Sequence, residues 1–309
     1  MSGFVIGMDI GGTNTRAMAV DFEGREVGER LRVSTLKSNA ADFIEHLSEL
    51  ILKAIPQDKK LEDLAGVGIG MPGPLNPKEG ILYQTPHFAE LKNVEVAKML
   101  SQKLNKPVYL EHDANCAAIG ERAFGAAKNV DDFIMLTFGT GIGAGIYCGG
   151  KIVHGKSGGA GEVGHLCLYP GGTTCQCGRK GCLEEYLSAR AVVRRANEMG
   201  ANIENAHEIF VQKDRGTEWA EKLFSKLVHE LSTGLGTLIN VFEPQKIILA
   251  GGLFVQKHEN FLSAVQEALK NEAFDSALKD FELCATHIPR NTGLLGAAAV
   301  AISKLTPRL

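Results

Sequence analysis

Residues 4–20 read FVIGMDIGGTNTRAMAV, and residues 132–148 read DFIMLTFGTGIGAGIYC. Each is an apolar run of β character, a glycine-rich turn carrying Thr, and a second such run, which together make a β-hairpin. The first turn is Ile10-Gly11-Gly12-Thr13-Asn14 and the second Gly139-Thr140-Gly141-Ile142-Gly143. A hairpin pattern that recurs within one chain implies two similar domains, expected to face a cleft. Strands and helices alternate around the hairpins. Phe43, Leu47, Leu50, Ile51 and Ile55 recur at helical spacing. Residues 66–71 form a buried strand that ends in Pro72-Gly73-Pro74. A helix near 93–104 leads to a strand at 107–111, and a further helix begins at Asp113 and runs to about 125. After the second hairpin, helices are predicted near 188–199, 205–212 and 217–242. A strand at 246–250, closed by Gly251-Gly252, a helix near 258–271, a strand at 281–285 and a last helix complete the chain. The alternation defines an α/β class with largely buried sheets. The expected domains are 1–122 and 123–292, with the last helix, in 293–309, returning to the first.

The chain's 309 residues suffice for two such domains. Hydrophobic content of 44% with 22% charged residues is that of a soluble globular protein. Glycine is in excess, at 36 residues, many in GG or GxG pairs, which points to backbone approaching a ligand. A net charge of −3 leaves no electrostatic footprint for nucleic acid, and pairs such as Arg194-Arg195 read as a solvated helix face. No apolar run approaches the roughly 20 residues of a membrane span. No basic, apolar leader is present, and seven cysteines are an odd number for a disulfide framework. A reducing cytoplasm is the expected location.

Residues 161–186 read GEVGHLCLYPGGTTCQCGRKGCLEEY. His165, Cys175, Cys177 and Cys182 make a Cys3His set suited to tetrahedral Zn2+, with Gly171-Gly172, Gly178 and Gly181 turning the chain back on itself. The competing readings are ordinary buried thiols, which suit Cys116, Cys148, Cys167 and Cys284, and a disulfide, which needs an oxidising compartment. A closed four-ligand site is structural, because it keeps no open position for a substrate. The metal would pin a segment, 162–184, that carries Glu162, His165 and Glu184.

Successive glycine N–H groups with a Thr hydroxyl suit phosphate oxygens, and both hairpin turns, with Gly251-Gly252, offer them. Neither turn is a Walker loop or a dinucleotide fingerprint, since no GKS or GKT follows and a β-run follows the glycines. Asp113, at a strand-to-helix junction, is the candidate general base, and a plain N-cap is its alternative. Asp9 is a candidate for holding Mg2+ near phosphates, or for bonding its own turn.

Asp9-Ile-Gly-Gly-Thr13, Gly70-Met-Pro-Gly73-Pro, Asp113-Ala-Asn115, Gly139-Thr-Gly-Ile-Gly143, Gly161-Glu162-x-x-His165 and Cys175-x-Cys177-Gly-x-x-Gly-Cys182-Leu-Glu184 together resemble the ROK sugar kinases. The resemblance spans nearly the whole chain. It implies the actin/hexokinase-like (ribonuclease H-like) superfamily and phosphorylation of a hexose by ATP with Mg2+, usually at the 6-hydroxyl. It implies Asp113 as general base, and hydrogen bonds to sugar hydroxyls from Glu162, His165 and Glu184, with His165 serving zinc through one ring nitrogen. Gly73 would lie against the sugar. The nucleotide would meet Asp9, Gly11, Gly12, Thr13, Asn14, Gly139, Thr140, Gly141, Gly251 and Gly252. Two positions depart from the family pattern. Glu111-His112-Asp113 stands where members often have Glu-Asn-Asp, and Pro86-His87 where many have Pro-Asn. His112 is therefore expected beside the reacting sugar.

Glucose is the default hexose, with allose, mannose, fructose or an N-acetylhexosamine as alternatives. The same family includes sugar-sensing repressors with an N-terminal helix-turn-helix. The first strand starts at Phe4 here, so no such module is expected. A non-catalytic sugar-binding protein would need neither Asp113 nor Asp9. The family's habit implies a homo-oligomer, dimer or tetramer.

Overall fold

The structure is a computed structural model and describes residues 3–83, 88–251, 259–288 and 292–306. Its elements begin with strands β1 (Phe4–Ile10), β2 (Asn14–Val20) and β3 (Leu31–Ser34) and helix α1 (Ala40–Lys53). Next come β4 (Leu64–Met71), the short pair β5 (Leu75–Asn76) and β6 (Ile81–Leu82), α2 (Val96–Leu104), β7 (Val108–His112) and α3 (Asp113–Phe124). The second half holds β8 (Phe133–Phe138), β9 (Ile142–Cys148), β10 (Lys151–Ile152), α4 (Glu184–Leu187), α5 (Ala189–Glu198), α6 (Glu208–Asp214) and α7 (Glu218–Phe242). It ends with β11 (Lys246–Gly251), α8 (Glu259–Leu269), α9 (Asp275–Leu278), β12 (Glu282–Ala285) and α10 (Thr292–Leu305).

The chain divides into two units: residues 1–129 with 152–160 and 290–309, and residues 130–151 with 161–289. The excursion of 152–160 into the first unit has no mark in the sequence.

In the first unit the strand order is β3-β2-β1-β4-β7, with β1 antiparallel to β2 and parallel to β4, and β4 parallel to β7. In the second the order is β10-β9-β8-β11-β12, with β8 antiparallel to β9 and parallel to β11, and β11 parallel to β12. The two sheets repeat one plan, so the recurrence of the hairpin in sequence is the visible part of a repeat that includes two crossover strands.

Alternation along β1 explains how the first sheet is covered on both sides. Phe4, Ile6, Met8 and Ile10 join Phe43, Leu47 and Ile51 of α1 in one cluster. Val5, on the other face, packs with Leu294, Ala298 and Ile302 of α10. Asp9 shares the face of Val5 and Gly7, and so ends β1 beside the start of α10, where a Cβ on Gly293 would lie 3.0 Å from the Asp9 Cγ.

The small residues of α10 let it sit unusually close to the sheet. A Cβ on Gly68 would stand 1.8 Å from the Ala297 carbonyl oxygen, and one on Gly7 would stand 2.2 Å from that of Leu294. These strand glycines serve helix packing. The expectation that paired glycines mark ligand approach is corrected there. Gly68→Ala is expected to lift α10 and cost about 1–3 kcal/mol or more. Thermal unfolding measures it, and an unshifted Tm would show that α10 yields freely.

In the second unit, Arg195 meets Glu230 through two hydrogen bonds of 2.6 and 2.8 Å. Their side chains are 14% and 4% exposed. Arg194 and Arg190 bond the two oxygens of buried Glu185 at 2.9 and 2.8 Å. The expected solvated face at Arg194-Arg195 is thus replaced by partners of buried carboxylates, whose charge requires them. No helix among the described residues is long and apolar enough to cross a membrane.

Candidate functional site

Helix α3 starts at the carboxyl end of β7, and its N-cap is His112. Asp113 is therefore the first helical residue, and the plain N-cap alternative falls to its neighbour. The Asp113 Oδ1 accepts the Ala114 N–H at 2.8 Å and lies 3.0 Å from the His112 Nδ1. Its side chain is 47% exposed, so one oxygen is fixed by the helix start while the carboxylate still faces solvent. The His112 ring packs on Gly73, where a Cβ would stand 3.1 Å from Cδ2. His112, Gly73 and Asp113 thus form one surface at the ends of β4 and β7.

Asp9 is a second carboxylate near Asp113. Burial raises its carboxyl above the ordinary carboxylate value, the charge of Asp113 raises it further, and Arg16, 3.7 Å away, works against both. Cys116 is buried nearby; desolvation pushes its thiol well up, and the charges of Glu111, Asp113 and Asp9 add to the effect. A region holding several carboxylates with little countercharge suits a divalent cation, and oxygen ligands suit Mg2+.

The turn after Asp9 is closed by a Gly11 N–H to Asn14 carbonyl hydrogen bond of 2.9 Å, and the Thr35 hydroxyl donates to the Gly11 carbonyl at 2.7 Å. Gly12 and Thr13 lie at the tip of this turn, with Thr13 exposed.

In the second unit the Gly139 N–H donates to the Gly141 carbonyl at 2.9 Å, which closes the turn around exposed Thr140. Glu184 reaches into this turn: its Oε2 accepts the Ile142 N–H at 2.9 Å, and a Cβ on Gly141 would stand 2.4 Å from that oxygen. Gly251 ends β11 beside Phe138, the last residue of β8. Gly252 and His87 lie outside the described residues.

His165, Cys175, Cys177 and Cys182 converge, each offering one ligand atom, with all four atoms within 4.8 Å of one another. The Cys177 and Cys182 sulfurs are 3.6 Å apart, and the Cys175 sulfur is 3.7 Å from the His165 Nδ1. A tetrahedron with Zn–S bonds near 2.3 Å and Zn–N bonds near 2.0 Å has edges of about 3.5–3.8 Å. These two separations fit that ion, and none of the seven cysteines is in a disulfide. Arg179 and its backbone N–H push the Cys177 thiol down to about 6, while burial pushes Cys182 up to about 12. Three adjacent thiolates without a cation would repel one another. Gly181, at φ 78°, packs so tightly that a Cβ would stand 1.7 Å from the Tyr169 carbonyl oxygen. The His165 Nε2 points the other way, 3.9 Å from the Glu162 Oε2. Of the four remaining thiols, only Cys116 is buried; Cys148 and Cys167 are exposed and Cys284 is intermediate, which corrects the buried-thiol expectation for those three.

Sequence reading missed one feature of the second unit. Thr140, Ala189, Arg190, Val193 and residues 204–206 line a cavity of about 440 Å3. The Arg190 Nε is buried there with no hydrogen-bond partner, although another guanidinium nitrogen bonds Glu185. Only the Ser188 N-cap of α5 hinted at this, by placing Arg190 in the first turn after the Cys3His segment.

Residues 5–304 match the ROK family. The chain is 30% identical to the glucokinase of Thermotoga maritima, with 96% of both chains covered. It is 29% identical to the xylose repressor of Bacillus subtilis, over 97% of this chain and 77% of that one. Among solved structures, the ROK hexokinase from Thermus thermophilus matches with a TM-score of 0.83 and 31% identity, covering 98% of this chain and 99% of the other. With this α/β fold of two mixed sheets and matches along almost its entire length, the chain belongs to the ROK family.

Proposed function

We propose that this chain transfers the γ-phosphoryl group of ATP to the 6-hydroxyl of a hexose, with glucose as the default substrate. The observation that carries the reading is the Asp113 carboxylate, fixed at one oxygen by the Ala114 N–H and open to solvent. In the reaction the sugar oxygen bonds to the γ-phosphorus, the bond from that phosphorus to the bridging oxygen of ADP breaks, and Asp113 takes the hydroxyl proton. Mg2+ would neutralise phosphate charge beside Asp9. Gly73, His112, Glu162, His165 and Glu184 would hold the sugar. Asp9, Gly11, Gly12, Thr13, Asn14, Gly139, Thr140, Gly141, Gly251 and Gly252 would hold the nucleotide, and the Arg190 cavity adds a cation to that set. His165, Cys175, Cys177 and Cys182 would hold a structural zinc. The protein would act in the cytoplasm as a dimer or tetramer.

Relatives named glucokinase and hexokinase support the kinase class. The xylose repressor supports a second reading, a sugar sensor. A coupled ADP-release assay over glucose, allose, mannose, fructose and N-acetylhexosamines separates the two. Sugar binding without phosphoryl transfer to any of them would leave the sensor.

Specificity should depend on His112. Its ring touches both Gly73 and the base, so it is expected to read a hydroxyl near the reacting one. A site built around a hydroxyl discriminates strongly against sugars that misplace it. His112→Asn is expected to change the kcat/KM ratio of glucose to its 3- or 4-epimers by about tenfold or more. Any loss common to all sugars through Asp113 cancels in that ratio. A ratio unchanged across the panel would remove His112 from sugar recognition.

A further inference from the structure

Glu111 stands two residues before Asp113, and its side chain is 5% exposed. A carboxylate so enclosed needs every oxygen bonded. Its Oε1 accepts the His112 backbone N–H at 2.9 Å and an Asn115 Nδ2–H at 2.9 Å. One oxygen thus ties together residues on both sides of Asp113. Its Oε2 lies 2.7 Å from the His154 Nε2. His154 belongs to the 152–160 excursion, one of two later stretches of the chain that join the first unit.

We propose that His154 and Glu111 form a positioning pair for the Asp113 carboxylate: His154 holds Glu111, Glu111 holds the turn from β7 into α3, and the turn sets where the base stands. The inference rests on Asp113 being the base. The hydrogen bond of the His154 ring is to Glu111, so it would act on the base through Glu111. Small displacements of a reacting group are costly, about 10²-fold for 1 Å.

The ring is 36% exposed, on a cavity of about 650 Å3 lined in part by Tyr109, Lys156 and Lys304. Protons therefore reach it. Glu111 on β7 faces it, as do Tyr109 of the same strand, Lys304 of α10, Lys156 of its own segment, and Lys78 and Glu79 before α2 across the cavity. The Glu111 hydrogen bond raises the imidazole above its ordinary 6.5, with burial and Lys304 opposing. A raised histidine stabilises the fold fully below its unfolded value and loses that contribution as pH rises through the folded one. The window opens near 6.5 and extends upward.

The test compares His154→Ala, His154→Gln and Asp113→Asn in the full-length protein, with activities corrected for folded fraction by circular dichroism. His154→Ala should lower kcat about tenfold while the KM for ATP stays within about twofold. His154→Gln, which keeps a neutral donor, should recover most of that loss. The Tm gap between wild type and His154→Gln should be widest near pH 6 and shrink toward pH 9. Both His154 variants at wild-type kcat, with Asp113→Asn inactive, would overturn the pairing alone. An active Asp113→Asn would instead overturn the assignment of the base. If His154→Ala does not fold, His154→Gln decides: a Tm gap independent of pH overturns the proposal.

Discussion

Asp113→Asn is expected to fold and bind sugar as the wild type does, yet lose phosphoryl transfer by about 10²- to 10⁴-fold. The amide oxygen of Asn can still accept the Ala114 N–H that the Asp113 Oδ1 accepts at 2.8 Å. The side chain is half exposed, so the fold loses no buried charge pair. What disappears is the proton acceptor. The variant also removes one of the charges that raise the Asp9 carboxyl and the Cys116 thiol, so both should titrate lower than in the wild type. Calorimetry with glucose and a single-turnover assay with ATP separate binding from chemistry. Retained sugar affinity with turnover within tenfold of wild type would reassign the base.

The elements that carry this site were legible because they are local. The run at residues 4–8 is apolar at successive positions, as a strand covered on both faces reads. The start of α3 was legible in the junction at Asp113. The short strands β3, β5, β6 and β10 and the four-residue helices α4 and α9 were not predicted, since two to four residues hold no period to read. Long-range packing was equally silent. Gly68 reads as one of the paired glycines of ligand approach, and Gly7 has no visible reason to be glycine, until α10, more than 200 residues later, is seen resting on them. The Arg195–Glu230 pair joins residues 35 apart, and a basic dipeptide gives no sign of a buried partner. His154 was passed over because a lone histidine between Val153 and Gly155 has no meaning before the chain brings Glu111 to it.

The Cys3His cluster is the reverse case, where spacing alone identified four residues whose ligand atoms the fold then brought within 4.8 Å of one another. Protein purified without chelators is expected to contain one zinc per chain by elemental analysis. Cys177→Ala should lose that metal and melt well below the wild type, because binding to a structural zinc site is itself folding free energy. The loss should also reach the sites. Cys182 is followed two residues later by Glu184, whose carboxylate clamps the Ile142 N–H in the second glycine turn. His165 faces the sulfurs with Nδ1 and Glu162 with Nε2, so releasing the metal frees the ring and its neighbour together. The KM for sugar is therefore expected to rise at least as much as kcat falls. Chelation of the wild type by a strong zinc ligand should reproduce both effects, and re-added zinc should reverse them in the wild type but not in Cys177→Ala. If metal-free preparations melt and turn over like wild type, the four residues are a thiol cluster that the loop does not need, and the clamp at Glu184 must hold the turn unaided.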